Sequence, residues 1–250
     1  MEAGRETMVV RTQSMDEEGK KAGASAPPTV LPTTLSSHLL QLLRWRIITG
    51  EFAPGQPLRE QDIEKEIGSS RGPIRESLRM LLQNGLVEYQ ERRGFRVRTY
   101  SVQDVLNLYD LRASLEGLVM ASLAGRALGP LIAELEASNR AMEGHFQAGD
   151  IEAYFAENQV FHDRIIAYTE NRPISEVMSY VNEVSLPVRY RLMKATLMTR
   201  RSVEYHERII AHLKKGHIEK ARRETEEHIL VNKEKAAAAL AAAAGGVASA

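Results

Sequence analysis

Hydrophobic and polar positions follow two different patterns along this 250-residue chain. Near residue 60, apolar side chains begin to recur one helical turn apart, first at Ile63 and Ile67 and then at Ile74 and Leu78. Two short β runs follow, and they cover residues 86–90 and 95–98. The pattern predicts two short helices joined by a tight turn and then a β-hairpin.

Turn-forming residues fall where these helices should begin and end. Gly68 allows the positive φ that a tight turn requires, and Ser69 or Ser70 can cap the next helix. Pro73 lies in the opening turn of that helix, where its missing N–H costs nothing, and Gly85 ends the helix. Local chemistry therefore predicts the same boundaries as the periodicity.

Positive charge is concentrated in the same stretch. The whole chain has a net charge of zero, whereas residues 69–98 carry seven arginines against three glutamates, a local net charge of +4. Arg71, Arg75 and Arg79 repeat along one ridge of the second helix, and two further arginines stand at the hairpin tip. A winged helix-turn-helix presents such a ridge and wing to DNA, so we expect DNA binding. Two alternatives are a solvated helix face, in which Glu76 pairs with one arginine, and a protein-docking module.

This stretch resembles a known family. The run SSRGPIRESLRMLLQNGLV is similar to the signature of GntR-type bacterial transcription regulators, and LLRWRIITGEFAPGQPLRE is similar to their first helix and turn. The resemblance implies DNA contacts at Gln61, Ser70, Arg71, Arg75 and Gly94. Arginines at the start of the second helix can reach guanine O6 and N7. Arg79 is expected to contact phosphate or Glu76, and Gly72 stands where the family often has threonine, so no contact is assigned to it.

From Thr99 to Lys235 the apolar residues recur only at helical spacing. The segment Ser101–Asp104 is similar to a capping box at the start of the first helix. Breaks at Gly129-Pro130, Gly149-Asp150 and Asn171–Pro173 separate the later helices, which are predicted at about 131–148, 151–169, 174–196, 199–215 and 218–240. The predicted fold class is mainly α, with the winged domain followed by an all-α antiparallel bundle of six or seven helices.

Composition sets the predicted domain boundaries at both ends of the chain. The first residues are rich in Gly, Ser, Glu and Lys, and the last are rich in alanine up to Gly245-Gly246. The predicted organisation is a disordered arm over 1–32, a winged helix-turn-helix over 33–99, a helical domain over 100–240 and a flexible tail over 241–250.

Composition also excludes several classes of protein. The chain has no cysteine, so it has neither disulfides nor thiolate metal sites. It has no apolar run long enough to span a membrane, and its first residues do not resemble a secretory signal. We therefore expect a cytoplasmic protein that makes no membrane contact and is nucleoid-associated when bound to DNA.

Three of the seven histidines lie on predicted inward faces. His162 is followed one turn later by Ile165, and His206 by Ile209, whereas His228 shares a less apolar face with Val231. The other four histidines show no such setting. A single histidine on an apolar face is usually a satisfied core residue, so periodicity alone leaves a purely structural role open.

The helical region resembles the FCD effector domain that accompanies one GntR subfamily, the FadR type. The resemblance implies one divalent metal ion per protomer, Zn²⁺ or Ni²⁺ in preference, with ligands at Asn158, His162, His206 and His228. The family has aspartate where this chain has Asn158. Because an amide is neutral, the full charge of the ion would remain, and we expect an anionic effector to complete the site.

Arg112 is a candidate contact for that effector. It continues an apolar register in which Leu108 and Leu115 are its neighbours, and a buried unpaired charge is costly. Arg112 either clamps an effector carboxylate or pairs with Glu116 one turn later. Arg189 and Arg191 could supply a second anion contact, but we expect them to extend to the surface, as long cationic side chains usually do.

These features together predict a ligand-responsive transcription regulator that is not an enzyme. We expect a homodimer on a near-palindromic operator, acting as a repressor or an activator, with a small carboxylate effector at a metal-containing pocket. The linker at Tyr100–Asp104 is expected to carry the signal between the domains. One alternative is a metal-free regulator of a larger acyl ligand. Another is a metalloenzyme fused to a DNA-binding domain, although the chain has no HExxH motif.

Overall fold

The computed structural model describes residues 35–195 and 199–247, with side chains of the last helix described as far as 242. The predicted arm over 1–32 and residues 248–250 of the predicted tail lie outside the described residues. In chain order the elements are α1 Leu35–Thr49, β1 Pro57–Leu58, α2 Glu60–Ile67, α3 Arg71–Gln83, β2 Val87–Gln90, β3 Gly94–Val97, α4 Val102–Ala121, α5 Gly129–Ala148, α6 Ile151–Tyr168, α7 Arg172–Ala195, α8 Arg201–Lys214, α9 Ile218–Leu230 and α10 Lys233–Val247.

The first six elements form a winged helix-turn-helix, as predicted. The predicted hairpin is β2 paired antiparallel with β3, with Tyr89 opposite Phe95. A third strand, β1, pairs with the other edge of β3. The sequence did not predict it, because a strand of two residues is too short to show alternating apolar and polar positions. One apolar core holds this domain together, and it includes Leu43, Ile74 and Leu78, each fully buried.

The turn residues behave mostly as local chemistry predicts. Gly68 has φ +73°, in the left-handed region that favours glycine, and it ends α2. Ser70 occupies the N-cap position of α3 with extended backbone, but its hydroxyl makes no capping hydrogen bond. The expected serine cap is therefore correct in position and wrong in its bond.

The winged domain packs directly on α7 of the bundle. Gly85 has φ +78°, and a Cβ there would lie 2.6 Å from Val184 Cγ1, so only glycine fits without displacement. Arg44 of α1 donates two hydrogen bonds, of 2.6 and 2.7 Å, to the carboxylate of Glu183. Trp45 packs edge-on against Tyr190, with ring centroids 5.6 Å apart.

In the described part of the chain, seven helices form the bundle, α4 to α10. The predicted capping box opens α4: the Asp104 N–H donates to Ser101 Oγ at 3.1 Å, and the Ser101 N–H donates to Asp104 Oδ2 at 2.9 Å. The segment predicted as one helix over 218–240 is two, because the chain turns at Val231-Asn232. The last of these helices runs on to Val247, so the predicted domain end at 240 falls inside it. The alanine-rich run favours continued helix.

The bundle core is centred on α6. Phe161 is fully buried there and packs with apolar residues of α4, α5, α7, α8 and α9. His162 follows it directly and reaches the polar centre of the bundle. Within the described ranges, none of the helices is both long and apolar enough to cross a membrane.

Candidate functional site

Three buried histidines converge inside the bundle. His162 comes from α6, His206 from α8 and His228 from α9, and they are 4%, 0% and 4% exposed. One ring nitrogen of each lies within 4.8 Å of the others. The structure thus brings together the three histidines that the sequence predicted to point inward, and this group could hold a metal ion.

Several potential metal-ligand atoms of the histidines and of Asn158 have no hydrogen-bond partner among the described residues. They are Asn158 Oδ1, His162 Nε2, His228 Nδ1 and both ring nitrogens of His206. Leaving a buried polar atom unpaired costs about 1–3 kcal/mol. Each neutral imidazole and the amide oxygen of Asn158 can offer a lone pair to a cation, so these side chains fit a metal ion.

Glu116 of α4 orients the first of these histidines. It is 3% exposed, and its carboxylate accepts a 2.8 Å hydrogen bond from His162 Nδ1. With the proton held on Nδ1, the Nε2 lone pair of His162 is left for a metal, which is the usual arrangement behind a metal-bound histidine. Burial opposes the ionisation of Glu116, but its contacts with His162 and Arg112 outweigh burial and hold the pKa of Glu116 well below its usual range.

The other two histidines are held neutral by their surroundings. Burial lowers the pKa of both His206 and His228 well below the usual value, so both rings are uncharged at pH 7. A neutral imidazole is the form that binds a metal. The ring of His206 is stacked on Phe161 with centroids 3.6 Å apart, which fixes its plane.

A cavity of about 80 Å³ adjoins the histidine group. Its lining includes Asn158, His162 and His228, together with Arg112 and Arg189. Asn158 is 6% exposed and lies one helical turn before His162, as the metal-ligand prediction requires. The cavity therefore combines potential metal ligands with two cationic side chains.

Arg112 lies in this cavity wall, but it is also paired within the protein. Its Nη2 donates a 2.6 Å hydrogen bond to Glu116, which was the alternative to an effector clamp. Its Nε is buried with no partner among the described residues. The role of Arg112 in binding an effector stays a prediction.

Arg189 is buried, so the favoured expectation that it reaches the surface is wrong. It is 9% exposed and donates a 2.7 Å hydrogen bond to Gln159. The signal was available in the sequence, because Leu186 three residues before Arg189 and Leu192 three residues after it place Arg189 on an apolar face. Arg191 is half-buried and lines a different cavity.

From the sequence, Glu116 is predicted only as a possible partner of Arg112. Its contact with His162 joins α4 to α6 across 46 residues of chain, and no local pattern encodes that distance. The periodicity could have placed Glu116 on the inward face, since it lies on the register of Arg112. The partner across the bundle required the tertiary structure.

The predicted DNA-contacting side chains of α2 and α3 are exposed. The two arginines among them are paired with glutamates of α2. Arg71 pairs with Glu64 at 2.8 Å, and Arg75 forms two 2.8 Å hydrogen bonds to Glu60. Gln61 and Ser70 are also exposed, on α2 and at the start of α3. Both arginines are therefore on the surface, and each is paired with a carboxylate of α2.

The remaining predicted contact lies at the hairpin tip. Gly94 begins β3 with φ +78°, after a turn in which Arg92 has φ +64°. Glu76, considered as an arginine partner, instead accepts a 2.6 Å hydrogen bond from Ser36 Oγ.

Comparison with known proteins agrees with this division of the chain. The family described as bacterial regulatory proteins, gntR family, matches residues 35–97, and the FCD domain family matches residues 107–230. The uncharacterized HTH-type transcriptional regulator YdhC of Bacillus subtilis (strain 168) is 27% identical over 205 residues, which are 80% of this chain and 88% of that protein. The gluconate operon transcriptional repressor of the same organism is 27% identical over 177 residues, 69% of this chain and 72% of that protein. The solved structure of E. coli McbR/YncC has the same fold, with a TM-score of 0.68 at 20% identity over 80% of this chain and 95% of that chain.

A winged helix-turn-helix joined to a helical ligand-binding domain defines a ligand-responsive DNA-binding transcriptional regulator. The chain belongs to the GntR family, in the branch that carries an FCD domain. This family regulates transcription and is not a family of enzymes, so the metalloenzyme alternative is set aside.

Proposed function

We propose that this regulator binds a divalent metal ion in its helical domain and uses it to sense a small carboxylic acid. Asn158, His162, His206 and His228 would hold the metal, one ion per protomer, with Zn²⁺ or Ni²⁺ favoured by imidazole ligands. When bound, the ion supplies a positive centre for an anionic effector. The observation that carries the proposal is the convergence of three buried histidines with unpartnered ring nitrogens. The unpartnered Asn158 Oδ1 belongs to the wall of the adjoining cavity.

The size of the cavity favours a small effector over a long acyl chain. About 80 Å³ is enough for several water-sized groups, each occupying about 10–15 Å³, and it is too small for a long apolar tail. The metal-free alternative with a larger acyl ligand therefore has less support at this site.

For DNA recognition, we propose a homodimer that presents two α3 helices to successive major grooves of a near-palindromic operator. Arg71 and Arg75 would read base edges, while Gln61, Ser70 and Gly94 would position the domain against the backbone. The gluconate operon relative is a repressor, and we propose repression for this chain too.

Two connections would carry the effector signal to the DNA-binding domain. One is the linker at Tyr100–Asp104, which leads from β3 into α4. The other is a chain of aromatic contacts: Phe155 lines the cavity and packs on Tyr190 at 5.3 Å, and Tyr190 packs on Trp45 of α1 at 5.6 Å. Coupling of about 1–3 kcal/mol through such contacts would change operator occupancy severalfold.

Metal content per protomer tests the proposal. Elemental analysis of protein purified without chelator or nickel resin should find about one equivalent in the wild type and much less in His206→Ala and His228→Gln. His217→Ala is the matched control, because this histidine is exposed and remote from the group, and it should keep its metal. Circular dichroism of each variant establishes that it is folded. A wild type that takes up no Zn²⁺, Ni²⁺ or Mn²⁺ on reconstitution would refute the metal site.

A further inference from the structure

Arg189 is a buried cation that forms no ion pair with any residue the structure describes. Its guanidinium is 9% exposed, and its one hydrogen bond among the described residues goes to the neutral amide of Gln159 at 2.7 Å. No carboxylate of the described residues lies within 4.0 Å of it. A buried charge without a counter-ion is strongly unfavourable, so a partner must come from elsewhere.

Two acids lie near Arg189, Glu116 and Asp163. The two carboxylate oxygens of Glu116 receive hydrogen bonds from Arg112 and from His162, so its charge is matched to Arg112. Asp163 is exposed, and its carboxylate accepts from Asn182 Nδ2 at 3.4 Å. Burial, together with the charge of Arg112, lowers the pKa of Arg189 to about 9, and the side chain therefore remains charged at pH 7. Glu116 and Asp163 attract Arg189 from a distance, but neither carboxylate forms an ion pair with its guanidinium.

The guanidinium of Arg189, which has no ion pair, lines the same cavity as the candidate metal ligands. Arg189 lines it together with Asn158, His162 and His228. With the proposed metal bound, a ligand in this cavity would meet two positive centres: the ion held by the histidines and the guanidinium of Arg189. The volume of about 80 Å³ accommodates about five to eight water-sized groups, close to the size of a four-carbon diacid.

We infer that the effector is a small dicarboxylate, with one carboxylate on the metal ion and the second on the guanidinium of Arg189. Planar guanidinium binds a carboxylate through two parallel hydrogen bonds, and it does so best where water is excluded. A monocarboxylate would leave Arg189 unpaired, so the site would select against it. This inference rests on the proposed metal-dependent function and adds the chemical class of the effector.

Isothermal titration calorimetry with zinc-loaded protein tests the inference. The probes are succinate and malonate, with butyrate and propionate as partners of matched length, and inorganic phosphate as a compact anion that cannot reach both centres. Wild type should bind the diacids at least tenfold more tightly than the monoacids and phosphate. Arg189→Gln should lose that preference, Arg189→Lys should keep part of it, and Arg191→Gln, on the same helix but lining another cavity, should behave as wild type.

Thermal unfolding of the ligand-free protein separates a binding role from a structural one. Because Arg189→Gln removes an unmatched buried charge, the variant should melt at or above the wild-type temperature, while its stabilisation by succinate disappears. A marked drop in melting temperature would overturn the inference, because Arg189 would then already be compensated in the fold.

The same samples distinguish failure of the dicarboxylate inference from failure of the proposed metal-dependent function. Arg189→Gln protein that holds one equivalent of zinc and still prefers diacids overturns the inference alone. Equal binding of diacids and monoacids by zinc-loaded wild type does the same. Wild type that holds no zinc refutes the proposed function, and the inference falls with it.

Discussion

Replacement of Glu116 by glutamine tests how one buried carboxylate organises the site. Glu116 accepts hydrogen bonds from Arg112 Nη2 at 2.6 Å and from His162 Nδ1 at 2.8 Å. Glutamine has almost the same shape, but one of its two terminal atoms is a donor. Whichever way the amide turns, either Arg112 or His162 faces a donor in place of an acceptor.

Both consequences are large. Breaking a buried ion pair from one side costs about 3–5 kcal/mol, because the remaining charge stays buried without compensation. All three residues of this network are below 5% exposed, so solvent cannot substitute for the lost oxygen. Loss of the carboxylate behind a metal-bound histidine typically weakens metal affinity by about 10–100-fold.

Two measurements check this prediction. Urea unfolding of chelator-treated protein should show Glu116→Gln less stable than wild type by about 3–5 kcal/mol, and competition with a chromophoric chelator should show weaker zinc binding. The double variant Arg112→Met with Glu116→Gln removes both charges, so it should be more stable than Glu116→Gln alone. If Glu116→Gln matches wild type in both stability and zinc affinity, the carboxylate does not organise the site and our reasoning is refuted.

Two further predictions concern the DNA-binding domain. Arg75→Ala should weaken binding to the preferred operator by about 1–3 kcal/mol with little effect on random DNA, as measured by fluorescence anisotropy; an equal loss on all sequences would assign Arg75 to phosphate instead. Gly85→Ala should destabilise the domain more than Gly68→Ala in urea unfolding followed by the fluorescence of Trp45, the single tryptophan. Either alanine would be strained by about 1–2 kcal/mol in the left-handed region. Only the Cβ at position 85 would also lie 2.6 Å from Val184 Cγ1, which adds about 1–3 kcal/mol. Equal losses of stability in the two variants would contradict this contact.

The helix-turn-helix shows how far turn chemistry reaches. Gly68 and Gly85 both have the positive φ that their positions in the sequence predict. The two helices that these glycines terminate, α2 and α3, follow from apolar spacing. The strand β1 does not, because it exists only through its pairing with β3, and its two residues have no pattern of their own.

The bundle shows the same division at the level of helix ends. Glycines and prolines mark most of its turns, whereas the turn at Val231-Asn232 has neither, and the sequence therefore predicted one helix where there are two. The chain turns there without a strong helix breaker, so tertiary packing outweighs local propensity at this point.

By itself, the sequence determined the fold class, the order of the two domains, the basic ridge of α3 and the inward direction of three histidines. Each of these follows from spacing within one helix or from charge within one segment, which are local properties. Only the tertiary structure decided that Glu116 holds both Arg112 and His162, and that Arg189 is left inside the bundle beside a neutral glutamine. Periodicity gives the face of a helix on which a side chain lies. The partner that it meets depends on how α4, α6 and α7 pack. That the buried Arg189 has no ion pair can be recognised only when its neighbours from other helices are known.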